Sequence, residues 1–247
     1  MWAGLVGAIQ FLTCLPLPSH WSSSYSAKPQ SDSLVFYPLV GLIIGLLLFI
    51  LAWLTMGWGA YLQAGVIVTA WIIITGALHI DGLADSADAW LGGHGDKQKT
   101  LHILNDTYSG VAAIVSIVLI IILKILAIAQ LNQVDLFILL LVPVLGRSMV
   151  IILLITTPYV RADGIGQSLV TEMPVTRLYQ MLLVTGVISV VLFGLTGLVM
   201  IISSLLCLWL LRFMMLRRLQ GTTGDTAGAV IELSELAALL AWVAMSA

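Results

Sequence analysis

The chain has 247 residues, of which 60% are hydrophobic and only 9% are charged, and its formal net charge is −2. With a mean hydropathy of +1.11, it is not an ordinary soluble domain, in which roughly 25% of residues are charged. Its apolar runs are continuous and reach the length of about 20 residues that a helix needs to cross a bilayer, which excludes a barrel of short alternating strands. We therefore predict an all-α, polytopic integral membrane bundle that forms a single domain over residues 1–247.

The predicted elements are a short N-terminal helix within residues 1–18 and about seven transmembrane helices. The spans are predicted at residues 34–56, 60–80, 108–131, 135–157, 178–194, 197–215 and 228–246. The run from Met181 to Leu211 is too long for one span, and "GLTG" at 194–197 provides a hairpin inside it. The sequence leaves open whether the N-terminal helix crosses the membrane.

Basic residues are concentrated in the loops on one side of this predicted bundle. Those loops precede residue 34 or cover 81–107, 158–177 and 216–227, and they contain Lys28, Lys97, Lys99, Arg161, Arg177, Arg217 and Arg218. The opposite turns, at 56–59, 131–134 and 194–197, contain no Lys or Arg. The positive-inside rule therefore predicts that the basic side faces the cytoplasm.

Three aspartates are grouped in "HIDGLADSADAW", residues 79–90. On a continuous helix Asp81, Asp85 and Asp88 project within a wedge of about 60°. Carboxylates this close repel one another, and a divalent cation, Mg²⁺ or Mn²⁺ rather than zinc, removes the repulsion and can bridge to substrate phosphates. The alternative is a solvated acidic helix start, which suits the helix dipole. His79 lies about 160° from Asp81, so it is either a catalytic group or a hydrogen-bonded border histidine.

Asp106 precedes the next predicted span and can approach this cluster from a neighbouring helix.

A second polar motif, "GTTGDTAGAVIELSEL", covers residues 221–236. Its glycine-rich turn, with Gly221, Thr223 and Gly224, is predicted to bind an anionic substrate group at a helix start, although helix packing alone also explains the glycines. Packing does not explain charged residues inside the last span, where charge is costly. We interpret Asp225, Glu232 and Glu235 as a second half of the site.

Two arginines complete the candidate site. Arg147 lies inside a predicted span and needs an anionic partner, which is either a carboxylate of the protein or a substrate phosphate. Arg161, in "YVRADGIGQ", is more accessible and is the better phosphate clamp. Lys124 is predicted to extend its ammonium group toward the nearer membrane surface.

Several of these stretches resemble motifs of one family, cobalamin synthase, also called adenosylcobinamide-GDP ribazoletransferase. "HIDGLADSADAW" resembles the family signature H-x-D-G-L-A-D-x-x-D-G, and "GTTGDTAGAVIELSEL" resembles G-x-T-G-D-x-x-G-A-x-x-E-x-x-E. "FLTCLPLP", "FYPLVGLIIG", Arg147 and "YVRADGIG" also match in order, so the resemblance covers nearly the whole chain. The chain departs from the family pattern at Ala89, His102, Asn105, Tyr108 and "QG" at 220–221.

The resemblance implies a membrane enzyme that uses Mg²⁺. A ribose 3′-hydroxyl of ribazole or its 5′-phosphate would attack the cobinamide-side phosphate of adenosylcobinamide-GDP, release GMP and complete the nucleotide loop of cobalamin. Asp81, Asp85 and Asp88 would hold metal on the diphosphate, and Asp225, Glu232 and Glu235 would bind a second ion or orient the ribose. One of these carboxylates, or His79, would be the general base.

The resemblance also implies a bacterial inner-membrane location with a cytoplasmic active site. The expected partners are the corrinoid nucleotide, the ribazole and the lipid bilayer; a homo-oligomer and contacts with other corrinoid-pathway enzymes stay open, and no nucleic acid is expected. Two alternative functions remain. A CDP-alcohol phosphotransferase also binds metal through spaced aspartates, but its D-G-x-x-A-R pattern needs an Arg that this sequence lacks. A cation transporter would keep polar groups at mid-span, where only Lys124 and Arg147 qualify.

Overall fold

The structure, a computed structural model, describes residues 2–18, 21, 31–106, 108–161 and 166–246. Within these residues the chain is a bundle of α-helices, as the composition predicts. The helices are α1 (Trp2–Leu12), α2 (Tyr37–Leu54, entered through the 3-10 turn Ser31–Phe36), α3 (Ala60–Ile74), α4 (Leu78–Gly92), α5 (Lys97–Ile103), α6 (Val111–Ile128), α7 (Ile138–Thr156), α8 (Gln167–Val170), α9 (Val175–Leu219) and α10 (Gly224–Ser246).

Five helices of the described chain are long and apolar enough to cross a membrane, or six if the bent pair α3–α4 counts as one span. The longest of them, α9, consists of two arms, 175–193 and 195–219, because Gly194 has non-helical angles of φ 56° and ψ −137°. Gly197 lies against the backbone of Ser189, although eight residues of straight helix would separate the two by about 12 Å. The chain therefore reverses here, and the predicted hairpin at 194–197 is confirmed.

The span predicted at 60–80 is wrong at its C-terminal end. Helix α3 already ends at Ile74, and α4 begins at Leu78 with its axis turned by 89°. Two residues between them, Gly76 and Ala77, have positive φ angles of 61° and 58°, a left-handed conformation that ends helices. The bend directs α4, with its three aspartates, away from the direction of α3 instead of continuing the span.

Glycines allow the central helices to approach closely. A Cβ atom on Gly41 or Gly45 of α2 would lie 2.6 Å from a backbone carbonyl oxygen of α7, that of Pro143 or Leu139 respectively. This is the close contact that small residues four apart permit between membrane helices. Helix α10 packs against α4, α7 and α9, and its two glutamates, Glu232 and Glu235, are buried in the interior of the bundle.

The four loops predicted to share one side do lie together at one end of the bundle. The polar contacts that join them are Lys97 with Gln220, Arg218 with the carbonyl of Trp90, Arg161 with Asp225, and Arg177 with Asp32. Lys28, the first basic residue in the prediction, lies outside the described residues. We call this end of the bundle the polar end.

Candidate active site

Helix α4 presents its aspartates on one face, as their spacing predicts. It is a continuous helix from Leu78 to Gly92, so residues 81, 85 and 88 share one face. Gly82 allows α4 to approach α10 closely, because a Cβ there would lie 2.6 Å from the carbonyl oxygen of Asp225 in α10. The two acidic motifs, residues 79–90 and 221–236, are therefore brought into contact at the polar end.

The three aspartates differ in their surroundings. Asp81 is exposed, whereas Asp85 and Asp88 are partly buried. The carboxylate of Asp88 accepts hydrogen bonds from the backbone N–H groups of Gly110 and, at 3.0 Å, Ala113. It thereby satisfies free donors at the start of α6, a structural role that the spacing alone did not indicate. Its role as a metal ligand stays a prediction.

The pKa of Asp85 is raised by burial and by its position in the acidic cluster at the polar end. Its pKa is raised from 3.8 to about 6, first by burial and then by the negative charges of Asp81, Asp225 and Asp88; Arg161 opposes the shift. Three carboxylates from two helices therefore act on Asp85, and Arg161 does not cancel their combined effect with burial.

Asp225 and Arg161 form the other side of the cluster. Arg161 Nη1 lies 3.2 Å from Asp225 Oδ2, and both side chains are partly exposed. The segment that carries Arg161 is fixed by an isolated parallel bridge between Tyr159 and Thr222, in which Val160 N donates to Thr222 O at 2.9 Å. Burial and the negative charge of Asp225 raise the pKa of Tyr159, so its phenol stays neutral at physiological pH.

A cavity of about 310 Å³ opens between these groups. Its polar lining residues include His79, Asp81, Tyr159, Arg161 and Asp225, and its other side is apolar. His79 is 3% exposed, and its Nε2 atom has no hydrogen-bond partner among the described residues. His79 and Asp81 line the same cavity, although the angle between them on the helix predicted that His79 does not join the ligand set of the aspartates.

Glu232 and Glu235 lie in a separate buried cluster. Lys124 Nζ donates to Glu232 Oε2 at 2.6 Å and to Glu235 Oε2 at 2.8 Å, and Arg147 Nη1 donates to Glu235 Oε1. All four side chains are at most 5% exposed, and Lys124 also lies 4.3 Å over the ring centre of Trp71. We call Lys124, Arg147, Glu232 and Glu235 the buried ion cluster; its two cations balance its two carboxylates.

In this cluster the anionic partner of Arg147 is Glu235, a carboxylate of the protein. The predicted role of Arg147 in binding a substrate phosphate stays a prediction. The snorkelling predicted for Lys124 is wrong, because Glu232 and Glu235 hold its ammonium group in the interior. None of the four residues lines the 310 Å³ cavity. The catalytic role of Glu232 and the metal-binding roles of Glu232 and Glu235 stay predictions, and their contacts give both residues a structural role.

The glycine-rich turn before α10 is packed more closely than an open anion-binding loop. A Cβ on Gly221 would lie 2.3 Å from the carbonyl oxygen of Pro158. Thr223 is fully buried, and its Oγ1 accepts from Thr226 N at 3.3 Å at the start of α10. Gly224 lines the cavity. Of the three predicted contacts to substrate in this turn, Gly224 is therefore the one that a ligand in the cavity reaches directly.

Asp106 is exposed and accepts from the backbone N–H of Tyr108 at 3.2 Å. It lies in the loop before α6, beyond the residues that line the cavity. Its approach to the cluster stays a prediction.

The residues at the polar end fit a hard divalent cation in chemistry but do not form a complete site by themselves. Among the described residues, no group of three His, Cys, Asp or Glu side chains is placed to hold a metal ion. Burial and then the negative charges of Asp81, Asp225 and Asp88 nevertheless raise the pKa of Asp85, and carboxylate oxygens grouped in this way are the donors that Mg²⁺ prefers. Magnesium keeps several waters and commonly binds through one or two carboxylates together with substrate phosphates, so an incomplete set is compatible with it.

Sequence reasoning missed Tyr159 as a wall of the cavity and Lys124 as a partner of two glutamates. Tyr159 gave no signal beyond its place beside Arg161. Lys124 did give one, because a lysine inside an apolar span needs a counter-charge, and the two glutamates of the last span were the available anions.

The fold and the site together define a multi-pass membrane protein with an acidic, arginine-containing cavity at one end of its bundle. The sequence model of the cobalamin-5-phosphate synthase family matches residues 4–243. The chain therefore belongs to that family.

Curated relatives agree along nearly the full length. An adenosylcobinamide-GDP ribazoletransferase of Pseudomonas fluorescens is 45% identical over 239 residues, which is 94% of this chain and 96% of the relative. Enzymes of the same name from Stutzerimonas stutzeri and Pseudomonas syringae pv. syringae are each 45% identical, over 237 and 234 residues; the matches cover 96% and 94% of this chain and 96% of each relative. No solved structure matches the chain.

Proposed function

We propose that this chain is an adenosylcobinamide-GDP ribazoletransferase. It transfers adenosylcobinamide phosphate to the 3′-hydroxyl of ribazole or ribazole 5′-phosphate and releases GMP. The product is adenosylcobalamin or its 5′-phosphate. The observation that carries the proposal is the cavity at the polar end, where Arg161 and the carboxylates of Asp81 and Asp225 surround one opening, in a chain of this family.

Arg161 is the group that we assign to the diphosphate. Its guanidinium is partly exposed and lies 3.2 Å from Asp225, so it is held at the cavity by a carboxylate that a phosphate can replace. A guanidinium binds two phosphate oxygens at once, which fixes the orientation of the phosphate as well as its position. Phosphoryl transfer depends mainly on such positioning and on charge neutralisation.

We propose Mg²⁺ as the cofactor and Asp81, Asp85 and Asp225 as the residues best placed to hold it. When bound, it would neutralise charge on the diphosphate and on the leaving GMP. Asp88 contributes mainly through the capping bonds to α6, which hold the loop before α6 against α4. Glu232 and Glu235 are already neutralised by Lys124 and Arg147, so a cation beside them would add uncompensated positive charge in the interior.

The attack forms a bond between the ribose 3′ oxygen and the cobinamide-side phosphorus and breaks the bond from that phosphorus to the GMP oxygen. The hydroxyl proton must pass to a base at the cavity. His79 offers an imidazole nitrogen without a partner among the described residues, and Asp81 offers an exposed carboxylate. Asp225 is paired with Arg161, and Glu232 does not line the cavity, so His79 and Asp81 are the better placed candidates.

We place the protein in the bacterial inner membrane with the site on the cytoplasmic side. The support is the basic character of the loops at the polar end, which the positive-inside rule assigns to the cytoplasm. Soluble nucleotide substrates would then reach the cavity directly. Self-association and contacts with other corrinoid-pathway enzymes stay predictions.

Neither alternative function gains support from the described residues. The ionisable side chains in the interior of the spans pair with one another in the buried ion cluster, rather than lining a path for a cation. The Arg of the CDP-alcohol phosphotransferase pattern has no counterpart in "DGLADSAD".

The experiment that tests the proposal is turnover by the purified protein in lipid vesicles. Adenosylcobinamide-GDP and ribazole phosphate are supplied together and singly, and GMP and corrinoid products are separated by chromatography. We expect equal amounts of GMP and cobalamin phosphate only when both substrates are present. GMP formation without ribazole phosphate would instead indicate hydrolysis, and no GMP from a folded protein would contradict the proposal.

A further inference from the structure

The apolar side of the 310 Å³ cavity extends from the polar end into the bundle. It is formed by buried side chains of four elements: Leu12, Val150, Leu154, Leu169 and Ile231. The charged residues Asp81, Arg161 and Asp225 lie at the rim, and Asp225 is in the first turn of α10. From Asp225 to Ile231, both of which line the cavity, the helix rises by about 9 Å. The cavity is thus charged at one end and apolar over the depth of a bicyclic ring system.

The size of the cavity determines which of the two substrates of the proposed reaction can enter it. A volume of about 310 Å³ is at the lower end of the range of small-molecule pockets, about 300–1,000 Å³. A corrin macrocycle carrying an adenosyl group and a nucleotide is several times larger than this. Only the smaller substrate, a nucleoside with an aromatic base, fits inside.

The walls also suit a flat apolar ring. Phe11 and Tyr37 line the cavity and stack on one another, with ring centroids 6.4 Å apart and planes 23° apart, which offers an aromatic surface for a third ring. His79 adds a buried imidazole nitrogen that has no partner among the described residues. An acyl chain would use the apolar walls but would leave this nitrogen and the carboxylates of the rim unused.

We propose that this cavity binds the aromatic base of the acceptor nucleoside, with the ribose at the rim between Asp81 and Asp225. The inference rests on the proposed function and adds the position of its acceptor. It places the 3′-hydroxyl beside the acidic face of α4, and it leaves the bulky corrinoid outside the cavity, with only its diphosphate at the rim. The apolar side chains Val150 and Leu154, one turn apart on α7, then set which base is accepted.

The test narrows the cavity with Leu154→Trp and measures each substrate separately. We expect the KM and the Kd for ribazole to rise about tenfold or more, in the range that a change of shape in an apolar pocket produces, while the KM for adenosylcobinamide-GDP is unchanged. Leu183→Trp is the matched control, because Leu183 is 69% exposed on the lipid-facing side of α9, and both constants should stay as in the wild type.

A second variant, Leu154→Ala, widens the cavity and keeps the test valid if the tryptophan variant does not fold. We expect kcat/KM for a riboside with a larger base to rise relative to that for ribazole by about fivefold or more. Unchanged ribazole constants and an unchanged preference in the folded variants would overturn the proposal. The proposal would also be overturned if Leu154→Trp displaced a bound lipid from the cavity and left ribazole binding unchanged. Ribazole binding to a wild type that forms no product would contradict the proposed function and leave the pocket supported.

Discussion

Glu235 is the carboxylate on which two buried cations converge, and its replacement by glutamine is the sharpest test of the buried ion cluster. Glu235 Oε2 lies 2.8 Å from Lys124 Nζ, Oε1 accepts from Arg147, and neither Arg147 nor Glu235 has any exposed side-chain surface. The amide would leave Arg147 without an anionic partner among the described residues. Removing one member of a buried pair costs about 3–5 kcal/mol, and we expect a loss of unfolding free energy in this range.

The assay is equilibrium unfolding of the purified protein in mixed micelles with increasing denaturing detergent. Asp32→Asn is the matched control, because Asp32 pairs with Arg177 at 3.3 Å with both side chains more than half exposed, and such a pair contributes about 0–1 kcal/mol. A cost for Glu235→Gln no larger than that of Asp32→Asn would refute the reasoning. If turnover then lost its dependence on Mg²⁺ while stability was retained, the metal-binding prediction for Glu235 would be supported instead.

Three further predictions concern helix α4. Asp81→Asn should abolish GMP release but leave folding and membrane insertion intact, because the side chain is exposed; turnover and size-exclusion profiles measure the two effects. Gly82→Ala should lower both stability and turnover, because its Cβ would lie 2.6 Å from the backbone oxygen of Asp225, and thermal melts with activity assays measure this. In EDTA, the unfolding free energy should fall as pH rises from about 4 through 6, since the raised pKa of Asp85 lets the folded state bind the extra proton.

Each of these has its own control. Full activity of Asp81→Asn at low Mg²⁺ would contradict a role in metal binding. Gly65→Ala places a Cβ in open space, so it should behave as the wild type, and equal effects of the two alanines would rule out the steric argument. Asp85→Asn should reduce the decline in stability between pH 4 and 6, and a decline of the same size in that variant would assign it to another group.

Periodicity and residue type were sufficient to predict much of the fold. The three aspartates share a face because spacings of four and three residues follow the helical repeat, which no tertiary contact needs to impose. The hairpin near Gly194 followed from length, since the apolar run exceeded the thickness of one bilayer. The bend between α3 and α4 could not be predicted in this way, because an apolar segment ending in "TGALHI" does not reveal that Ala77 adopts a left-handed conformation.

The site was predicted in its residues more than in its arrangement. An arginine and two glutamates inside spans required partners, but which of them pair depends on the relative position of α6, α7 and α10, and local sequence does not set it. Tyr159 reaches the cavity because its segment bridges to Thr222, 63 residues away. Asp88 was grouped with the other aspartates by spacing, while its capping of α6 depends on a turn from another part of the chain.

The central claim is that the acidic face of α4 acts on a substrate diphosphate at the mouth of the cavity. The measurement that tests it most directly is the rate of GMP release by the protein in lipid vesicles, at saturating concentrations of both substrates, as Mg²⁺ is titrated against EDTA. We predict no release without the metal and saturable release with it, and no release at any Mg²⁺ concentration for Asp81→Asn. Full turnover in EDTA, or an unchanged Mg²⁺ dependence in Asp81→Asn, would contradict the claim.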